Sequence, residues 1–385
     1  MLKNKNIYNF MIISICFYCF CVWASAQNPR IEDQFYLNNR ELIEKLDTVI
    51  RHTLYIIFFM FSNILLIKKN NIFLYVITII LFLQFLITKN TDLITVIITL
   101  FTLKALIENT KYINKKLIKK FCYIYIVGVI IQLSLFKYFG RRVLSLLDPN
   151  WTAYLLFLFF ILLDKIKLSF LKWLVLFMGF LMLSRNYVLG VVLYFLLKIP
   201  IILKISRKVL KKIFRDNTIA VSLFIFSMTI FIGYLFLKVS HHSDYNYTAS
   251  RILTINDDSN YLRFEQYFSF FKALKEYDIL RNYGLTDSEY KKIAYIKINP
   301  HNPLLVLIRG MGIYIGCIVY LSTIRLLFGK KITKYITFAI PLLVYQTFFL
   351  APYMGFYIML VGVIVSFIKY ENELEKIEFE RLKNV

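Results

Sequence analysis

His301 and Arg309 lie eight residues apart in the stretch INPHNPLLVLIRGMG at 298–312. In an α-helix this separation places two side chains on about the same face, two turns apart. An imidazole with a pKa near neutrality can accept the proton of an attacking hydroxyl, and a guanidinium binds phosphate oxygens through paired hydrogen bonds. Because charge inside an apolar helix is costly, the pair predicts a lined anionic cavity. A simple cap or interface role is the alternative for His301.

Other polar residues belong to the same prediction. Asn302 and Pro303 are expected to fix the start of the helix that carries Arg309. The remaining candidates lie between apolar runs or in one long polar segment, and they are Arg141, Arg142, Asn150, Arg185, Arg251, Asp258 and Arg263. The alternatives are an interfacial anchor for Arg185 and local pairing for the charges of the long segment. Arginines gathered at one membrane boundary would stabilise a leaving diphosphate, the role that a metal ion otherwise fills.

The composition indicates which elements must position these residues. The chain has 385 residues, of which 59% are hydrophobic and 18% aromatic, and its mean hydropathy is +0.62. These values are typical of a polytopic membrane protein and not of a water-soluble domain. The net charge of +24 comes from short basic clusters between apolar runs, which is the positive-inside pattern and not a nucleic-acid face. No metal-binding spacing, Asp-x-Asp pair or P-loop occurs, so no metal and no cofactor is predicted.

The pattern of apolar runs predicts an all-α fold of about twelve transmembrane helices, in a single integral membrane domain over 1–385. The runs lie at 7–25, 52–67, 71–88, 92–108, 121–138, 150–163, 168–184, 186–204, 218–238, 303–322, 333–350 and 353–369. The charge bias places both termini in the cytoplasm, with a cytoplasmic tail at 370–385 and one long extracytoplasmic loop at 239–302. The aromatic-rich run that begins at Tyr261 predicts an ordered helix near the membrane surface. The first helix is either retained or cleaved after Ala24-Ser25-Ala26.

Four stretches resemble the bacterial Wzy-type polymerases of O-antigen and capsular polysaccharide, which are similar to the O-antigen ligases. They are DPNWTAYLLFLFF at 148–160, LSRNYVLG at 183–190, NYGLTDSEY at 282–290 and PHNPLLVLIRGMGIYIG at 300–316. The resemblance implies an inverting, metal-independent glycosyltransferase of the multi-helix membrane (GT-C-like) type. Such enzymes transfer a glycan from undecaprenyl diphosphate to a hydroxyl of another lipid-linked repeat unit, in O-antigen or capsule biosynthesis.

The same resemblance assigns roles and surroundings. By motif, Arg185 matches the family's Ser-Arg, Arg251 its loop arginine, and His301 its His-Asn, which makes these three the expected catalytic residues. The expected substrate-binding residues are Arg141, Arg142, Asn150, Asp258, Arg263, Asn302 and Arg309. Of these, Arg263 and Arg309 are chosen from residue type and position and not from a family motif. The expected location is the bacterial cytoplasmic (inner) membrane, with the active site on the extracytoplasmic face. Expected partners are membrane lipid, the undecaprenyl-diphosphate-linked oligosaccharide and a chain-length regulator protein, with no nucleic acid.

Two alternatives remain open from the sequence. An O-antigen ligase would use the same donor and transfer the glycan to lipid A-core. A flippase for a lipid-linked oligosaccharide would have a similar number of helices, but its charged residues would lie near the middle of the membrane.

Overall fold

The computed structural model describes residues 2–21, 34–67, 69, 71–138, 141–142, 144, 149–182, 184–239, 258–294, 302–348 and 355–383. These residues form an all-α fold, as predicted, with one two-residue antiparallel ribbon of β1 (Lys137–Tyr138) and β2 (Arg141–Arg142). The first helices are α1 (Leu2–Cys21), α2 (Gln34–Leu66), α3 (Ile72–Thr88), α4 (Asp92–Glu108), α5 (Lys115–Leu135), α6 (Pro149–Lys165), α7 (Ser169–Phe180), α8 (Arg185–Leu196) and α9 (Pro200–Phe214). The others are α10 (Thr218–Val239), α11 (Asp258–Glu276), α12 (Asp278–Asn282), α13 (Asp287–Ile293), α14 (Pro303–Met311), α15 (Ile313–Phe328), α16 (Ile336–Phe348) and α17 (Phe356–Lys383).

The chain divides into two compact units. Unit 1 comprises Met1–Leu74, Ile97–Met182 and Met354–Val385, and unit 2 comprises Tyr75–Val96 and Leu183–Tyr353. The prediction of one integral membrane domain over 1–385 is not decided by this division and stays a prediction.

Unit 1 is built around α6, which is apolar and buried on every side from Ala153 to Leu163. A helix that is hydrophobic all round belongs in a core. It packs against α7 and α17, while α1 packs against α2, α5 and α17. Two buried polar side chains there donate to backbone carbonyls: the Tyr8 hydroxyl to Leu106 O (2.8 Å), and Gln132 Nε2 to Phe20 O (2.8 Å).

Unit 2 carries most of the predicted polar residues. Its α10 packs against α9, α11, α15 and α16, and α14 packs against α12 and α15. The contact between α10 and α11 is close because Gly233 has no side chain: a Cβ there would lie 2.3 Å from the Phe264 ring. The described part of 239–302 is therefore an ordered helical segment that packs on the rest of unit 2, and α11 confirms the helix predicted from Tyr261.

Several apolar helices are suited to a membrane. By length and composition, three helices of the described ranges could cross one, at Glu41–Leu66, Lys115–Leu135 and Thr218–Leu235. A fourth span is possible if α8 and α9 are taken together across their 96° bend. The number of twelve stays a prediction.

Two predicted spans are not continuous helices. The run at 186–204 is interrupted before Pro200, which opens α9 in a new direction. The run at 303–322 is interrupted at Gly312, whose φ of +78° cannot continue an α-helix. In contrast, the last predicted span extends as one helix, α17, through the predicted tail to Lys383.

Candidate functional site

The helix α14 begins at a cap that the sequence predicts. The Asn302 side-chain oxygen accepts from Leu304 N (2.9 Å) and Leu305 N (3.4 Å), and Pro303 occupies the first helical position. Asn at the N-cap satisfies amides that have no partner within the helix, and Pro there loses no hydrogen bond. Asn302 is only 1% exposed, so the polar cap of α14 is buried.

The end of α14 is a sharp reversal. Ile308 and Gly316 are eight residues apart, which in a continuous helix would separate them by about 12 Å along the axis. Instead, a Cβ on Gly316 would lie 2.8 Å from Ile308 Cα, so α15 folds back against α14. Only glycine permits this approach, and α14 is therefore a short helix that ends inside unit 2.

The carbonyl groups exposed by this ending are each satisfied. Leu285 N donates to Arg309 O, Asn90 Nδ2 donates to Gly310 O (3.1 Å), and Gln84 Nε2 donates to Met311 O (2.9 Å). Unpaired carbonyls away from water are costly, and irregular backbone at membrane depth is tolerated only when it is buried in protein. The amides of Gln84 and Asn90 thus stabilise the break in α14.

Arg309 lies on the last turn of α14 with its side chain 8% exposed. Its Nη1 donates to Asp287 Oδ1 at 2.9 Å, and the other oxygen of Asp287 accepts from Lys291 Nζ at 2.6 Å. Asp92, at the start of α4, also lies near enough to favour the charged guanidinium. The negative charges of Asp287 and Asp92 compensate the positive charge of Arg309 within unit 2. An arginine is therefore tolerated in this apolar helix.

A capping box places the Asp287 carboxylate beside Arg309. Thr286 is the N-cap of α13: its hydroxyl accepts from Glu289 N (3.4 Å), and its own N–H donates to the Glu289 carboxylate (2.9 Å). Hydrogen bonds from Thr286 hold the pKa of Glu289 below its usual value, so the box is intact at neutral pH. Asp287 is the first residue of this helix, and its carboxylate contacts Arg309 of α14.

Tyr290 completes the polar cluster around Arg309. Its ring is buried and lies 5.9 Å, centroid to centroid, from Phe270 of α11. Burial raises the pKa of its hydroxyl to about 12, although the nearby Arg309 acts in the opposite direction. The hydroxyl is therefore protonated at neutral pH and can donate a hydrogen bond. We call Asp287, Tyr290, Lys291 and Arg309 the Arg309 cluster.

Two buried donors on α14 have no hydrogen-bond partner among the described residues. They are Asn302 Nδ2 and Arg309 Nε. Seven residues separate them, which is nearly two turns, so they lie on about the same side of the helix. Buried N–H groups are rarely left unpaired, because each costs about 1–3 kcal/mol. An oxygen acceptor on a ligand would satisfy either donor.

The other predicted residues are placed less completely. Arg185 is the first residue of α8 and is half-buried, after the buried Ser184. Asn150 is the second residue of α6 in unit 1. Arg141 and Arg142 form β2, and Asp258 and Arg263 lie in α11, but their side chains are outside the described residues, as are Arg251 and His301 altogether. Among the predicted residues, Asn302 and Arg309 thus lie at the two ends of one short helix.

Sequence reasoning missed the carboxylate that pairs with Arg309 and the two amides that close α14. Asp287 lies in the stretch NYGLTDSEY at 282–290 and in the capping box Thr286-x-x-Glu289, but neither pattern marks it as a partner of Arg309. It also missed Asp47 of α2, a carboxylate buried in unit 1 that accepts from the Tyr18 hydroxyl at 2.8 Å. No group of three metal-binding side chains lies together within the part of the chain that the structure describes.

Removal of the Arg309–Asp287 ion pair is expected to lower the free energy of unfolding. Asp287→Asn leaves a buried guanidinium without its closest carboxylate, so we expect unfolding to become easier by about 1–3 kcal/mol, with the exposure of Asp287 limiting the loss. Lys291→Ala removes only the exposed partner and should cost less than about 0.5 kcal/mol. Thermal unfolding of the detergent-solubilised proteins measures both. Equal stabilities for Asp287→Asn and Lys291→Ala would mean that the Arg309–Asp287 pair contributes no more to stability than the exposed Lys291–Asp287 pair.

The fold and the site define an all-α protein with apolar helices that could span a membrane and a buried, charge-compensated polar site on a broken helix. Comparison with protein-family models, with curated proteins and with solved structures finds no match for the chain.

Proposed function

We propose that this protein is a Wzy-type polysaccharide polymerase. It would transfer a glycan from undecaprenyl diphosphate to a hydroxyl of another lipid-linked repeat unit, during O-antigen or capsule biosynthesis, as an inverting and metal-independent glycosyltransferase. In this proposal the protein spans the bacterial inner membrane about twelve times, and its site faces the extracytoplasmic side. A chain-length regulator is its proposed protein partner.

The observation that carries the proposal is the pair of buried donors at Asn302 and Arg309. Asn302 Nδ2 and Arg309 Nε are both buried and both lack a partner among the described residues. A glycan diphosphate carries negative charge and many oxygen atoms that accept hydrogen bonds. It is therefore a suitable partner for these two N–H donors. The four stretches that resemble the polymerase family support the same proposal, since one of them contains α14.

The proposed chemistry assigns one role to each kind of residue. His301, directly before Asn302, takes the proton of the attacking sugar hydroxyl as that oxygen bonds to the anomeric carbon. The bond from the same carbon to the diphosphate oxygen breaks, and the diphosphate leaves with its electrons. Arg185 and Arg251 stabilise the charge that develops on this leaving group. Attack from the face opposite the leaving group inverts the anomeric centre.

A gel of extracted polysaccharide from a strain that lacks this chain tests the function. Polymerase activity predicts lipid A-core that bears a single repeat unit, and a full ladder when the wild-type chain is returned. Bare core would instead indicate a ligase, and repeat units held in the cytoplasmic leaflet would indicate a flippase. A ladder unchanged by the deletion would refute all three functions.

Asn302→Asp separates ligand binding from helix capping. Aspartate keeps the capping oxygen but has no Nδ2 donor, and it caps a helix about as well as asparagine. We expect at least a tenfold loss of polymer per folded protein, because an anionic substrate would meet a carboxylate instead of a donor. Asn302→Ala is the companion variant, which loses cap and donor together. Normal polymer from Asn302→Asp, with a loss only in Asn302→Ala, would reduce Asn302 to a cap.

A further inference from the structure

The helix α9 leaves its predecessor at an angle that suits a membrane surface. α8 has 12 residues and is followed by α9 after a bend of 96°. Twelve helical residues rise about 18 Å, which is well short of the ~30 Å apolar layer of a bilayer. Pro200 opens α9, so the bend is fixed by a residue that cannot continue the preceding helix.

One side of α9 is apolar and unprotected. Ile201, Ile205, Val209 and Ile213 recur every four residues and are between 43% and 71% exposed. A spacing of four places them in one continuous stripe along the helix. Only Leu210 of α9 is buried against unit 2. Exposure of this apolar stripe to water is therefore energetically unfavourable.

Next to this stripe, the second side of α9 is basic. The helix PIILKISRKVLKKIF contains five basic residues and no acidic one. Arg207 and Lys208 lie three and four residues after Lys204, and Lys211 lies four and three residues after them, so all four share one face. With Pro200 and Leu203 they line an open groove of about 590 Å³. Such a groove has room for a phosphate headgroup beside apolar chain.

The position of α9 is set by its C-terminal turn. Arg215 and Asp216 both have positive φ, +50° and +59°, which ends the helix abruptly. The two oxygens of Asp216 accept from Thr333 N (2.9 Å) and Thr333 Oγ1 (2.6 Å). This carboxylate is thus engaged by the loop before α16 and does not neutralise the groove. The turn after α9 therefore fixes the position of the basic and apolar faces without a ligand.

We propose that α9 binds the anionic phospholipids of the cytoplasmic leaflet. The isoleucine stripe enters the acyl region, and the groove holds the lipid phosphate against Lys204, Arg207, Lys208 and Lys211. An amphipathic helix with one basic and one apolar face binds membranes in this way. The site is independent of the proposed polymerase activity, because it rests only on unit 2 residues outside α14.

Lipid titration of the purified full-length chain tests this site. The wild-type protein in non-ionic detergent is titrated with phosphatidylglycerol or phosphatidylcholine, and bound lipid is counted by native mass spectrometry. We expect at least tenfold tighter binding of phosphatidylglycerol. The variant Lys204→Gln/Lys208→Gln/Lys211→Gln should lose most of this preference, since each basic residue near a lipid surface contributes about fivefold.

A matched variant controls for total charge. Lys116→Gln/Lys119→Gln/Lys120→Gln removes the same charge from the start of α5, whose lysines do not line the groove. It should weaken phosphatidylglycerol binding about tenfold less than the α9 triple variant does. Should the α9 triple variant fail to elute as folded protein, the single variants Lys204→Gln and Lys208→Gln replace it, each with about fivefold weaker binding. Equal loss in both triple variants, or no loss in either, would overturn the proposal. Competition by inorganic phosphate as strong as that by the lipid would also overturn it, in favour of a free-anion site.

Discussion

Replacement of His301 by alanine is expected to abolish the polysaccharide ladder while the protein remains in the membrane at wild-type level. A general base contributes about 10²- to 10⁴-fold to a proton transfer, so the residual rate would be too low to build long chains. The same extracted-polysaccharide gel measures the result, with lipid A-core bearing one repeat unit as the expected product. Immunoblots of membrane fractions establish that the variant protein is present.

A second histidine provides the matched control for this experiment. His52 is exposed on α2, where its Nδ1 lies 2.6 Å from Thr48 O, a contact within the helix. His52→Ala should therefore leave the ladder unchanged. A normal ladder from His301→Ala would remove the general base from the proposed mechanism, whereas loss in both variants would point to an effect of histidine replacement that is not specific to α14.

Gly284→Ala is expected to destabilise unit 2 by about 3 kcal/mol or more. Gly284 has a φ of +77°, and a Cβ there would lie 2.2 Å from Met311 N and 2.4 Å from Gly310 C. Both atoms belong to backbone, so they cannot rotate away as a side chain would. The displaced backbone would also disturb the neighbouring bond from Leu285 N to Arg309 O. The temperature at which the detergent-solubilised protein loses its size-exclusion peak measures this effect.

Gly310 is the matched control, because it lies in the same contact region but in helical conformation. A Cβ at Gly310 would meet no atom within 4 Å. Gly310→Ala should therefore leave stability unchanged or raise it by about 0.5–1 kcal/mol, since alanine favours helix more than glycine does. If Gly284→Ala were as stable as Gly310→Ala, the close approach of the 283–285 turn to the end of α14 would not exist in solution.

The short, closed helix α14 gives the proposed chemistry a rigid support. Its start is capped by Asn302, its final carbonyls accept hydrogen bonds from Gln84, Asn90 and Leu285, and its arginine is held by Asp287. Groups that stabilise a transition state are most effective when their positions are fixed before the substrate binds. Stability and proposed function therefore depend on the same contacts, which is why the variants above are judged per amount of folded protein.

The sequence by itself determined the all-α class, the helix α11 and the start of α14. These features depend on local patterns: apolar runs, the aromatic periodicity after Tyr261, and the Asn302-Pro303 pair that caps a helix wherever it occurs. It also singled out Arg309 as a charge in need of compensation.

Only the tertiary structure decided what compensates that charge and where the helices break. Asp287 is 22 residues from Arg309 in sequence, and Gln84 is 227 residues from Met311, so no local pattern could join them. The apolar runs at 186–204 and 303–322 have the composition of continuous spans, and composition does not show whether a Pro or Gly bends a helix slightly or ends it. That outcome depended on partners elsewhere in unit 2: Asp216 and Thr333 hold the turn after α9, and the 283–285 turn with two side-chain amides satisfies the end of α14.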